Sequence, residues 1–180
     1  MQQMLTNLRA RREDERGFTL IELMVVVLII AILIAIAIPT FLGAKTRAQD
    51  KAAQSSLRNG LTNAKGIYTD QDTYGAAAAL ITSLTAAEPS LTFQSAASTT
   101  AKMVSVSTSG AGVTPSWVVM VAKSAGGNCY AISDSSSFGT GFRYSTSGTC
   151  DADTFDNAPP TSAVSSANAV ANGTTWGTAW

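Results

Sequence analysis

Few residues in this chain have the type and spacing to do chemistry. Its 180 residues include no histidine, which removes the commonest general base and the commonest metal ligand. There is no nucleophile motif and no glycine-rich phosphate loop, so the sequence gives an enzyme no support and implies no cofactor. Two features remain. Asp151, Asp153 and Asp156 follow closely on Cys150; three carboxylates at that spacing are weak candidates for holding Ca²⁺. They lack the sixth-position glycine and distal glutamate of an EF-hand loop, and a solvated acidic loop is the stronger reading, with no metal. The other feature is Glu22, set at the start of an uncharged stretch that runs from Leu23 to Ala44.

A carboxylate in hydrocarbon costs roughly 2.5–3.5 kcal/mol on insertion scales, and such a group is a functional candidate that needs a partner. No Lys or Arg occurs between Leu23 and Ala44. The bland alternative places Glu22 at the headgroup boundary, solvated.

The element that positions Glu22 is apolar on every side. From Leu23 to Ile38 each residue is Leu, Met, Val, Ile or Ala. Residues 18–42 suffice to cross ~30 Å of hydrocarbon as a helix. Val and Ile are weak helix formers in water, but in a bilayer each backbone group needs an internal partner, so helix is imposed. Pro39 falls inside it, removing one hydrogen bond and crowding the preceding turn, so a kink or local melting is expected there.

Ahead of the apolar run, residues 1–17 are polar, with Arg9, Arg11, Arg12 and Arg16 beside Glu13, Asp14 and Glu15. Three readings compete. A secretory signal peptide has an apolar core of about 7–15 residues and a small-residue cleavage site beyond it; this run is longer and has an acid near its start. An ordinary membrane anchor explains the hydropathy but neither Gly17-Phe18 nor Glu22. The third reading rests on the stretch Arg16-Gly17-Phe18-Thr19-Leu20-Ile21-Glu22-Leu23-Met24.

That stretch resembles the cleavage motif of type IV prepilins and pseudopilins, with the close match over about 16–45. The resemblance implies a leader of residues 1–17, cut by a prepilin peptidase on the cytoplasmic side between Gly17 and Phe18, with N-methylation of Phe18. It implies a pilin fold, assembly through the N-terminal helix by a pilus machinery, and pairing of Glu22 with the new α-amino group of a neighbouring subunit. A proline such as Pro39 is associated in the family with helix melting in the filament; a simple transmembrane kink is the open alternative. Charge alone does not orient the helix, because four arginines precede the apolar run and Lys45, Arg47, Lys51 and Arg58 follow it. The resemblance puts the C-terminal domain outside the cell.

In an exported domain a lone cysteine pair, here Cys129 and Cys150, reads as one disulfide, worth roughly 3 kcal/mol in the chain-entropy model. In a cytosolic protein the same pair reads as two free thiols.

Past Pro39 the pattern turns amphipathic. Ala53, Leu57, Leu61, Ala64 and Tyr68 share one helical face, which is expected to carry the remaining domain. Arg47, Lys51, Arg58 and Lys65 form an adjacent stripe, either solvated or facing an acidic neighbour. From Lys45 to Lys65 there are five basic residues and one acid, and from Gly66 onward three basic residues and seven acids. A basic shaft with an acidic head argues against nucleic acid as a partner and permits attraction between subunits.

The helix is expected to span 18–72, ending near 66–72. Residues 73–90 read as a loop with room for a short helix. Strand-like runs follow at Leu91–Gln94, Met103–Ser107, Trp117–Ala122, Cys129–Ser133 and Gly141–Ser145, with a hairpin across Gly126-Gly127-Asn128. The expected fold is α+β: a long N-terminal helix, transmembrane in its first half, packed against a small antiparallel sheet within an extracytoplasmic domain 73–180, with an exposed tail from about 157. The functional expectation is a structural, non-enzymatic subunit of a type IV pilus. It waits in the cytoplasmic membrane and polymerises with its own copies into an extracellular fimbrium for adhesion or motility. The alternative is a pseudopilin of a type II secretion or DNA-uptake system, a class in which a C-terminal loop can carry calcium.

Overall fold

The computed structural model describes residues 18–108, 117–136, 139–145 and 148–153. The chain divides into two compact units, Met1–Ala44 and Lys45–Trp180. One helix, α1 (Leu20–Gln71), contributes to both.

In the first unit α1 is long and apolar enough to cross a membrane. Its large apolar side chains there are all exposed, Leu20 by 75% and Leu33 by 61%. Among the described residues of its unit, nothing buries its apolar faces.

The second unit is α+β. After α1 come α2 (Ala77–Ala87) and five strands: β1 (Thr92–Gln94), β2 (Met103–Thr108), β3 (Trp117–Lys123), β4 (Cys129–Ser135) and β5 (Gly139–Ser145). The sheet order is β1-β2-β3-β4-β5. The helical face read from the sequence is the buried one: Ala53, Leu57, Leu61 and Ala64 lie in the core and Tyr68 packs at its margin. Opposite them stand Val104 and Val106 of β2, Val118, Met120 and Ala122 of β3, and Tyr130 and Ile132 of β4, with Leu80 and Leu84 of α2 completing the layer. Gly60 lets α1 approach the sheet closely. A Cβ there would lie 3.1 Å from the Phe93 ring and 3.2 Å from Met120 Sδ.

The helix passes through Gly66 and ends at Gln71. Asp72 turns the chain with a left-handed φ of 56°, and its N–H donates to the Tyr68 carbonyl at 2.7 Å, the αL closure common at helix C-termini. From β2 to β5 the sheet is antiparallel, as expected, and the β3–β4 hairpin turns where Gly127 adopts a φ of 96°. The first strand differs: β1 pairs with β2 in parallel, Phe93 opposite Val104, so the sheet is mixed. A parallel partner ordinarily needs a crossover of a dozen or more residues. Here the short link 95–102 is folded on itself by Ser98, whose Oγ donates to the Met103 carbonyl at 2.6 Å and accepts from the Lys123 N–H at 2.9 Å.

Candidate functional site

The candidate site begins at the N-terminal end of α1. Thr19 precedes the first helical residue, and its hydroxyl and backbone N–H both donate to Glu22 Oε2, at 2.7 and 2.9 Å. The Glu22 N–H in turn donates to Thr19 Oγ1 at 3.3 Å. This is a capping box, in which Thr at the N-cap and Glu three residues on satisfy each other's backbone donors. The positive end of the helix dipole favours the carboxylate there as well. The partner that Glu22 needs is therefore supplied within its own chain. Thr19 was missed as a site residue, although the Thr-x-x-Glu spacing announces it. Phe18, the residue before the cap, is exposed. Gly17 lies outside the described residues.

Farther along, α1 continues without interruption through Pro39. The proline has no N–H to give the Ala35 carbonyl. The next residue bonds backward instead: Thr40 Oγ1 donates to the Ala37 carbonyl at 2.9 Å and to that of Ile36 at 3.2 Å. Such back-bonding to the preceding turn is a common behaviour of threonine inside a helix.

In the second unit two acids tie α1 to the sheet. Asp134 on β4 accepts from the Tyr74 hydroxyl and, at 2.6 Å, from Thr140 Oγ1. Lys65 Nζ stands 2.8 Å from the same carboxylate and donates to Thr140 Oγ1 at 2.8 Å. Burial and the neighbouring Asp134 carboxylate push the Tyr74 phenol well above its ordinary pKa. At the other end, Asp50 Oδ1 accepts from the Ser124 hydroxyl, and Asn128 Nδ2 lies 3.4 Å away, fixing the β3–β4 turn against α1. Burial, with Asp50 nearby, also raises the Tyr130 phenol. One member of the basic stripe, Lys65, thus finds its acid within its own chain, and Lys51 donates to the Gln54 side chain at 3.0 Å. Neither Asp50 nor Asp134 stood out in the sequence, since a lone acid has no spacing to mark it.

Cys129 and Cys150 are joined as a disulfide, with Cα atoms 5.2 Å apart. The bridge fastens the segment after Gly148 to the first residue of β4. Two further bonds hold it: Ser98 N–H to the Cys150 carbonyl at 2.7 Å, and Ala152 N–H to Ser105 Oγ at 2.9 Å. Asp151 is occupied locally, accepting from Ser105 Oγ at 3.3 Å and from the Asp153 N–H at 3.2 Å. Among the described residues no group of three His, Cys, Asp or Glu gathers to hold a metal. Asp156 lies outside them.

Helix, cap and exposed apolar run coincide with a known signature: residues 13–38 match the family model described as the prokaryotic N-terminal methylation motif. The chain carries the prepilin signature. It is the mark of type IV pilins and pseudopilins alike, and it implies processing by a prepilin peptidase. The exposed apolar helix fits a membrane-anchored precursor. Neither the curated proteins nor the solved structures gave a match.

Proposed function

We infer that this prepilin-like chain is a structural, non-enzymatic subunit of a type IV pilus. The observation that carries the reading is the methylation motif at 13–38, lying over a helix whose apolar side chains are exposed all round. Residues 1–17 are the leader. The peptidase cuts between Gly17 and Phe18, and Phe18 is N-methylated. Residues 18–42 hold the subunit in the cytoplasmic membrane until its helix is bundled with copies of itself in an extracellular fibre.

In the membrane, the Thr19 cap keeps the Glu22 carboxylate hydrogen-bonded, which lowers the cost of an acid at that depth. In the fibre, the α-amino group of an incoming Phe18 pairs with Glu22 of a neighbour and sets the helices' axial positions. Pro39 is the point where α1 gives way if the fibre is stretched.

Mass spectrometry of fibres sheared from cells that express the chain tests this reading. The expected result is a bulk protein beginning at N-methylated Phe18. A different first residue overturns the processing assignment. Absence of the chain from surface fibres, with a correctly trimmed form retained in the membrane, points instead to the pseudopilin role.

A further inference from the structure

Between its weakest stretch and its first buried side chain, α1 has about two turns that the core does not secure. Pro39 leaves the Ala35 carbonyl without its helical donor. Gly43 follows one turn later, a residue that weakens a helix interior. Phe41 and Leu42 are exposed. The first buried residue of α1 is Ala53. From Thr46 to Ala52 every side chain is exposed or half-buried, so burial does not explain why the helix stays closed there.

Contacts do reach this stretch from the turn Ser124–Asn128 between β3 and β4, and that turn is braced by its own bonds. The Ser124 N–H donates to the Asn128 carbonyl at 2.8 Å and the Gly127 N–H to the Ser124 carbonyl at 2.9 Å. The Gly126 N–H donates to Ser124 Oγ at 2.9 Å. The Ser124 hydroxyl, so held, donates to Asp50 Oδ1 at 2.5 Å, and Asn128 Nδ2 stands 3.4 Å from the same oxygen. One helical turn earlier on α1, Thr46 lies against Gly126. A Cβ at position 126 would come within 3.1 Å of Thr46 Cγ2 and 3.2 Å of Ser124 Oγ, so glycine gives the helix room for that approach. The turn thus touches α1 at two successive levels, one of them through a hydrogen bond to a carboxylate, the stronger class.

We propose that the β3–β4 turn is a stop on α1: it holds the helix closed from Thr46 onward, so that opening which starts at Pro39 is confined to 39–45. The proposal rests on the reading that α1 gives way at Pro39. Helix hydrogen bonds open and close one residue at a time, and opening halts where the next residues are held by contacts outside the helix. To pass Thr46 and reach Ala53, the chain must part Asp50 from Ser124 and leave both without that bond in a part-buried place. The sheet keeps its seat on Ala53, Leu57 and Leu61 while the helix before it lengthens.

Hydrogen exchange, read residue by residue by mass spectrometry on the full chain in detergent micelles, tests the stop. Each helical N–H reports on the carbonyl four residues earlier, so amides 43–49 report on 39–45 and amides 50–56 on 46–52. The expected profile has a step, with 43–49 exchanging about tenfold faster than 50–56, or more. Asp50→Ala decides the cause by sign. Alanine is the better helix former, so a purely local effect slows exchange at 50–56, whereas loss of the stop speeds it by about tenfold. Amides 61–68 and those of β3 are expected to stay unchanged. Ser124→Ala, made on the other side of the contact, is expected to act in the same direction. No step in the parent chain, or amides 50–56 as slow or slower in Asp50→Ala, overturns the proposal. Pro39→Ala examines the underlying reading separately: it is expected to slow 43–49. Unchanged exchange there overturns the role given to Pro39, while the stop is still judged by Asp50→Ala.

Discussion

The two units of this protein handle the same problem, apolar side chains in quantity, in opposite ways. From Lys45 onward the chain buries its own: Leu57, Val104, Val118 and Met120 are at or near zero exposure. Before Lys45 none of its described residues is buried, and Ile29, Leu33 and Ile36 stand about half exposed or more. A soluble helix of that kind is penalised by roughly 25 cal/mol for each Å² of apolar surface left in water. The contrast teaches that the second unit is a finished fold, whereas the described part of the first presents apolar surface that its own unit leaves uncovered, which fits a membrane-anchored precursor.

The sharpest break of this contrast is at Glu22. Glutamine serves the capping box as well as glutamate, so Glu22→Gln keeps the Thr19 cap and removes only the charge. If the charge answers a neighbour's terminus, fibre yield in cells falls to background while the melting of the second unit stays put. Normal fibre yield from the variant assigns Glu22 to the cap alone. A milder pair of variants tests both sides at once. Leu57→Ala is expected to cost about 2–5 kcal/mol of second-unit stability by denaturant unfolding. Leu28→Ala should leave that stability unchanged and reduce fibre yield only.

The remaining changes act within the second unit alone. Tyr74 is held in its protonated form in the fold, its pKa raised from 10.0 by burial and Asp134. Above pH of about 10 the unfolded chain releases that proton and the folded chain keeps it, so stability is full below that pH and declines above it. Tyr74→Phe should flatten the alkaline limb in thermal melts taken across pH 9–11. The smallest effect is expected of Gly60→Ala. Alanine gains up to about 1 kcal/mol of helix propensity but must push Phe93 or Met120 aside, which costs about 1–3 kcal/mol. A net loss near 1 kcal/mol in denaturant unfolding is expected, and a net gain would mean that the ring moves freely.

Much of this was open to reading because it is periodic or local. The buried stripe of α1 follows the helical repeat, the β3–β4 hairpin follows alternation across a glycine turn, and the cysteine pair had a single pairing available. What was hidden depends on single residues meeting across long separations. Nothing local marks Asp134 as the acceptor for Tyr74 and Lys65, or Asp50 as the anchor of the Ser124 turn. The parallel pairing of β1 was concealed for a related reason. Three residues carry too little pattern to declare direction, and a serine folded back in the link decided it. Thr19 was legible and overlooked, since its spacing to Glu22 matches a local motif while the acid's cost in lipid drew attention to distant partners.

The capping box has one more consequence. Both of its members, Thr19 and Glu22, lie downstream of the bond proposed to be cut, and α1 begins at Leu20 with the leader still attached. Phe18, on the product side of that bond, precedes the coil, so a cut there would leave the box whole. Such a cut would change the electrical character of one tip, exchanging a neutral amide for a cation, while the capped rod behind it keeps its own hydrogen bonds.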